Sequence, residues 1–327
     1  TGDKVLIEKI TFRNFNFTGN GGAILWTGNN GTLKNCNFIN NNATYGGGIY
    51  WSGANSALIS SNFINNSAKE RGGGIYWSGA NGSLSDSLFS SNFAPVGGGV
   101  AWAGAYGVMS SSNFTGNAAG SGVGGGIWWG SKNGNIISCI FSNNTARYGA
   151  GFRCNGDNCI VTDCIFTGNN ATYGGGINWW YGANGTVTGC IFTDNYANTW
   201  GGGINWWYGA NGTVIDSIFT ENIANEYGGS IYWNIAGSMT NCSFVNSKSQ
   251  QSNGIYTDNN LNINDGEGIV YITIKGTLSG TSIVVLNNET YYYPPNTNIN
   301  LPNKIINKNF KQVLINNSDE RKNIINN

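Results

Sequence analysis

The chain has 327 residues, among them 51 Gly, 55 Asn and no His, and its 16 Lys+Arg balance 16 Asp+Glu to a formal net charge of zero. A neutral surface cannot gather phosphates by counterion release, which excludes nucleic acid as a partner. Without His there is no Ser-His-Asp triad, no Cys-His pair and no ordinary catalytic zinc site, and no apolar run reaches the roughly 18 residues that a membrane-spanning helix needs.

No charged, apolar leader precedes Thr1, the mark of a processed form or an excised piece. Gly and Asn supply about a third of the residues, yet 40% hydrophobic and 13% aromatic residues argue against disorder. The sequence repeats itself every 24 to 27 residues. Glycine runs begin at Gly21, Gly46, Gly72, Gly97, Gly124, Gly149, Gly174, Gly201 and Gly228, and a worn tenth copy ends at Gly254-Ile255. Four columns keep register with them. Phe recurs from Phe17, Phe38 and Phe63 to Phe244, and an Asn follows three residues later, from Asn20, Asn41 and Asn66 to Asn222. An aliphatic such as Leu33 or Val187 precedes the Phe by five residues, and Trp26, Trp51, Trp77, Trp102, Trp129, Trp179, Trp206 and Trp233 stand two after the Ile or Val that follows glycine.

A unit of this length is too short for a propeller blade and too glycine-rich for helices. It suits three short strands and three corners, one turn of a right-handed single-stranded parallel β-helix. About ten coils would stack at roughly 4.8 Å, like residue over like. Phe, the aliphatics and Trp then fill a narrow core, Asn forms a corner ladder, and glycine supplies positive φ and close backbone approach. The fold class is therefore all-β, with residues 1–258 as the β-helix and 259–327 as a β-rich C-terminal segment.

The alternating Gly-Gly-Ala/Gly-Ile and Phe-x-x-Asn motifs over about residues 10–258 resemble the repeats of chlamydial polymorphic outer-membrane proteins. They are also similar to adhesin-like surface proteins of methanogenic archaea. The resemblance implies a secreted cell-surface β-helix acting as an adhesin or spacer, and it hands over no catalytic residues. The chlamydial proteins end in an outer-membrane barrel that this chain does not resemble. From about Asn259 Trp disappears and alternating runs, Gly268–Lys275 and Thr281–Leu286, precede Tyr291-Tyr292-Tyr293-Pro294-Pro295. They read as strands with a hairpin, either an incomplete immunoglobulin-like module or a cap over the open end of the helix.

Five of the seven cysteines, Cys36, Cys139, Cys164, Cys190 and Cys242, stand two residues before the column Phe, where other coils have Ser; they read as small buried thiols. Cys154 takes the place of the column Trp, and with Cys159 it suggests a small disulfide loop and an oxidising compartment. No metal site is expected there, since no further soft ligand is near, and no cofactor is expected anywhere. Sequons at Asn42, Asn81, Asn170, Asn184, Asn211 and Asn288 are glycan-acceptor candidates, best in the Asn-Gly-Thr turns.

β-Helical lyases and hydrolases need clustered carboxylates or a basic residue beside calcium. Here Asp86, Asp163 and Asp216 occupy a turn position that also takes Asn and Ser, and Asp194 and Glu221 form a like-charged pair on adjacent coils. A non-catalytic protein is the expected reading, with a polysaccharide lyase or hydrolase as the alternative from another class.

The strongest functional signal is aromatic. Ile177-Asn178-Trp179-Trp180-Tyr181 recurs as Ile204-Asn205-Trp206-Trp207-Tyr208. Strand alternation turns Ile177 and Trp179 inward, so Asn178 and Trp180 point out. Trp180 and Trp207 would then stack outside beside Asn178, Asn205, Tyr181 and Tyr208. Tyr148, Tyr173, Trp200 and Tyr227 add a second stripe. Flat rings beside amides suit a sugar ring and its hydroxyls, so glycans or components of other cell surfaces are the expected partners. Two other readings of the patch are a cover for the glycine-rich corners and self-association of rods or filaments.

Overall fold

The computed structural model describes residues 3–250 and 252–257 with their side chains, and beyond them the backbone of strands Leu261–Ile274, Ser282–Leu286, Glu289–Tyr293, Phe310–Asn317 and Glu320–Lys322. The architecture is a right-handed parallel β-solenoid of about ten turns, and no helix occurs among the described residues. Three strand stacks run its length. One holds Ile49–Trp51 between Ile24–Trp26 and Ile75–Trp77, pairing Ile with Ile and Trp with Trp. A second pairs Thr32–Lys34 with Ala57–Ile59, and a third pairs Asn37–Ile39 with Asn62–Ile64. At the far end Leu261–Ile274 continues the parallel pairing against Gly237–Val245, and Ser282–Leu286 makes an antiparallel hairpin with Glu289–Tyr293.

Most coils have the three expected strands, the second and third being continuous in Gly237–Val245, and several have a fourth. Thr145–Tyr148, Asn170–Tyr173, Tyr196–Trp200 and Ile223–Ala224 form a separate short sheet between the Asn corner and the glycines. Its small buried column, which includes Ala146, Ala171, Ala197 and Ala224, lets this segment lie flat against the core. The extra residue of the Tyr196–Trp200 coil is taken up as a register shift at Tyr173/Trp200.

Inside, ring stacks run from coil to coil. The Phe column from Phe12 to Phe244 has centroids 4.6–5.1 Å apart and nearly parallel planes. The Trp column stacks at 4.4–4.8 Å from Trp26 to Trp129 and at 4.5–5.0 Å from Trp179 to Trp233. Such spacing is offset stacking, which adds to simple apolar burial.

The first coil corrects the column assignment. Phe12, not Phe17, lies under Phe38, while Phe17 is exposed. Likewise Asn20 pairs with Tyr45 outside the Asn ladder, and the backbone N–H of Phe15 meets Asn41 instead. Chain length decides this. Phe38 precedes its glycine run by eight residues and Phe12 by nine, whereas Phe17 precedes Gly21 by only four, too few to build the corner and the short strand.

The Asn ladder is fully satisfied. The Nδ2 of Asn66 donates to Asn92 Oδ1 at 3.0 Å and to the Phe38 carbonyl at 2.9 Å. Its Oδ1 accepts from the Asn41 backbone N–H at 3.0 Å and from Asn41 Nδ2 at 2.9 Å. All four hydrogen-bonding capacities of the amide are used, in a residue that is 1% exposed. A Ser/Cys ladder parallels it: Cys36 N–H donates to Ser61 Oγ and Cys139 N–H to Cys164 Sγ. These thiols are buried and unbridged, as expected for that column.

The corners use the left-handed region. Asn30, Asn55, Asn81, Asn133, Asn158, Asn184 and Asn211 all have φ of 53–56°, a conformation that short polar side chains tolerate better than bulky ones. At the glycine corner Gly46 has φ 63°, and a Cβ on Gly47 would strike the Gly73 carbonyl of the next coil.

Asn144→Ala should strand the Asn117 backbone N–H and one Asn117 amide N–H, and should remove a donor from the Phe114 carbonyl and from Asn169 Oδ1. We expect it to cost about 2–4 kcal/mol in urea unfolding, where Asn→Ala at Asn170, exposed and outside the left-handed corners, costs under about 1 kcal/mol. Equal effects at the two sites would show that the inner ladder is not a special source of stability.

Candidate functional site

The outward positions of the Ile-x-Trp strands form one column: Tyr76, Ala101, Trp128, Arg153, Asn178, Asn205, Tyr232 and Tyr256 in successive coils. On one flank the short sheet ends in Tyr148, Tyr173 and Trp200, followed by Tyr227 in the next coil. On the other flank Trp180 and Trp207 leave the strand ends, followed by Tyr181 and Tyr208. Both stripes expected from the sequence are therefore brought together on one side of the rod.

The rings form a connected ledge. Trp180 and Trp207 lie parallel at 6.0 Å, and Trp200 crosses from the other flank to stack on Trp207 at 4.5 Å and 3°. Tyr148 meets Trp180 edge-on at 5.8 Å, and Tyr173 meets Trp200 edge-on at 4.9 Å. Tyr227 meets Trp200 edge-on at 6.4 Å. Tyr181 and Tyr208 stack at 5.4 Å and stand furthest out, 60% and 47% exposed.

One expectation is corrected. Asn178 and Asn205 do point away from the core, but they are 0% and 1% exposed rather than open beside the rings. The strand alternation holds; what the alternation does not include is the flanking side chains, which close over the column. Arg153 is the residue that a list of aromatics and amides passes over. It sits in register between Trp128 and Asn178, 6% exposed. Its guanidinium lies 4.8 Å from the Trp180 ring centre and 5.2 Å from that of Tyr148, a cation–π contact with two rings that meet edge-on. Its Nε donates to Asn155 Oδ1 at 3.1 Å, and burial pushes its pKa down to about 10. At neutral pH it therefore remains a cation. Register with Asn178 is the sequence signal that identifies it.

Cys154 and Cys159 are both buried in the core and carry no bond between them in this structure. They contact each other, and burial holds Cys154 well above the ordinary thiol range. Their place explains them. Four to six residues after the column Trp, seven coils carry glycine (Gly31, Gly82, Gly107, Gly134, Gly185, Gly212 and Gly237), where a Cβ would run into the indole. In the coil that lacks the indole, Cys159 takes the glycine position, and the two Cys side chains fill the indole's space.

Of the sequons, Asn42, Asn81, Asn170, Asn184 and Asn211 are exposed, while Asn288 lies outside the described residues. The amide nitrogens of Asn81, Asn184 and Asn211 already donate to the corner Asn of the preceding coil, at 3.0, 3.1 and 3.2 Å. A glycan on any of them would take one of the two amide hydrogens and leave the other for such a bond.

The carboxylates keep to the corners: Asp86, Asp163 and Asp216 have φ of 52°, 51° and 49°, and Asp194 and Glu221 have φ of 54° and 55°. Asp194 and Glu221 open onto a cleft of about 600 Å³ that is also lined by Asn246, Lys248 and Asn253. Lys248 thus lines the same cleft as the pair, which the sequence columns do not reveal. Among the described residues no group of three or more Cys, Asp or Glu is placed to hold a metal ion, and no helix is long and apolar enough to cross a membrane.

Residues 21–185 match the family described as the right handed beta helix region, half of the chain, and the chain belongs to that family. Among solved structures it is similar to PfbA, a surface adhesin of Streptococcus pneumoniae, at 11% identity and a TM-score of 0.56, over 99% of this chain and 87% of that one. A tailspike protein of E. coli bacteriophage HK620, a mutant in complex with a pentasaccharide, aligns at 14% identity and a TM-score of 0.43, over 86% of this chain and 56% of that one. No curated protein matches the sequence.

If the two Cys replace an indole and its glycine, Cys154→Trp alone should overpack the core and cost about 1–3 kcal/mol. The pair Cys154→Trp with Cys159→Gly should recover most of that loss and join the two halves of the Trp column. Thermal unfolding of both variants checks this, and an equal loss in each would refute the compensation.

Proposed function

We propose that the chain is an extracellular cell-surface β-helix that binds glycans of other cells or of cell-wall material, without converting them. The observation that carries this reading is the ledge of rings: Trp180, Trp207, Tyr181 and Tyr208 repeat from coil to coil beside Trp200 and Tyr173. Flat aromatic faces stack on the CH faces of sugars, and successive coils offer the same face to successive residues of a polymer. The likeness to a pneumococcal surface adhesin concerns the fold and agrees with a surface location. A rod of zero formal net charge also exerts little long-range repulsion on a polymer of either sign.

Trp180→Ala combined with Trp207→Ala should leave the inner stacks intact and weaken binding to a glycan array and to cell-wall material by about tenfold or more. Unchanged binding would reduce the ledge to a cover for the corners. Solution scattering on the same variant separates the third reading, since loss of a concentration-dependent increase in mass would mark the ledge as a contact between rods.

One observation favours a polysaccharide lyase or hydrolase: a single cleft lined by Asp194, Glu221 and Lys248. Two carboxylates with a nearby base are a minimal acid–base set for glycosidic bonds. Incubation with uronic-acid polysaccharides, with and without calcium, is expected to release no unsaturated or reducing ends. Release that disappears in Glu221→Gln would replace the binding-only reading with the enzymatic one.

A further inference from the structure

Among the described residues, ten buried side-chain nitrogen or oxygen atoms have no hydrogen-bond partner. Four are indole N–H groups of the core Trp column, one each in separate coils. The other six lie together on the outside of the rod: Arg153 Nη1, both amide atoms of Asn178, both of Asn205, and Trp207 Nε1. Arg153, Asn178 and Asn205 are consecutive in one ladder column. Elsewhere the protein satisfies its buried amides completely, as the inner Asn ladder shows. A buried polar group without a partner is costly, and a buried cation without an anion more so. The groups acting on the Arg153 charge are Tyr148, Cys154 and Tyr181, none of them a carboxylate.

The cover is made of side chains alone. Tyr148 and Trp180 meet over Arg153, and Trp200 and Trp207 stack across the column at Asn205. Rotation of Trp180 and Trp207, both half-buried, would open the column without moving the backbone ladder beneath. The opened slot would offer a fixed cation, two amides that both donate and accept, and an indole N–H, all between flat rings.

We infer that this column is a binding slot for a carboxylate-bearing sugar, with Arg153 taking the carboxylate and Asn178 and Asn205 the adjacent hydroxyls. The inference rests on the glycan-binding reading above and narrows it to acidic sugars. A guanidinium favours a carboxylate through charge-assisted hydrogen bonds. Neutral hydroxyls suit amides that can serve as donor and acceptor at once. The aromatic rings that close the slot would lie against the ring faces of the bound sugar.

The probes are oligogalacturonate, its methyl ester and a neutral galactose oligomer, titrated against the full chain by calorimetry and by tryptophan fluorescence. The acid is expected to bind roughly tenfold more tightly than the ester and to change the emission of the covering indoles. Arg153→Gln should abolish that preference and leave the weaker binding of the ester and the neutral oligomer in place. The comparison of acid with ester needs no variant, so it stands even if Arg153→Gln fails to fold. Equal binding of acid and ester overturns the slot while leaving the glycan-binding ledge in place. Binding of none of the three probes, with the rings unperturbed, overturns the slot and tells against the ledge as well. A preference for the acid that survives in folded Arg153→Gln would move the carboxylate site elsewhere and so overturn the assignment.

Discussion

In the coils of this protein a strand residue lies one strand spacing from its counterpart in the coil above and in the coil below. That constraint governs what each column can contain. A side chain must be compatible with a copy of itself at about 5 Å, so apolar rings succeed by stacking and amides by donating one way and accepting the other. The Asn ladder is the clearest case. Each amide is both donor and acceptor, so a column of them closes its hydrogen bonds without a second residue type. A column of like charges cannot do this. Charged side chains accordingly occur mostly one coil at a time, and the Asp194–Glu221 pair has Lys248 lining the same cleft.

The same constraint explains why so much of the fold can be read from the residues. Columns that must repeat in space also repeat in sequence, and the Phe, Trp, Asn and Gly columns place most strands and corners directly. The abundance of Asn has two origins, the inner ladder and the left-handed corners, where Asn30, Asn55 and Asn81 recur at nearly the same φ. Where the reading failed, the repeat was at its edge or the decisive contact came from another part of the coil. Phe17 satisfies the Phe-x-x-Asn pattern as well as Phe12 fits the stack, and only the chain needed to reach Gly21 separates them. The short sheet ending in Tyr173 and Trp200 carries no alternation long enough to announce a strand. The burial of Asn178 and Asn205 depends on rings from both flanks, a tertiary fact that period-2 alternation cannot contain.

Departures from a column are informative because stacking makes them expensive. At residue 154 the indole is missing, and the glycine that made room for it is missing too: Cys154 and Cys159 change together to keep the core filled. In the very next outward position the column that carries Tyr50, Tyr76 and Trp128 turns polar, to Arg153, Asn178 and Asn205. The interior therefore repairs its irregularity, while the exterior leaves one open.

That contrast bears on function more than the fold does. A right-handed β-helix is a scaffold that hosts binding and catalysis alike, so its presence chooses between them only weakly. The satisfied inner ladder sets the standard against which the outer column must be judged. One chain, built on the same spacing, pairs all four capacities of Asn66 inside and leaves both atoms of Asn178 and Asn205 unpaired outside. If the outer polar residues served only to cover the corner, Tyr or Trp would do so at lower cost, as they do in the coils on either side. Amides and a guanidinium held under movable rings make sense as groups kept for something that arrives from solution and completes their hydrogen bonds.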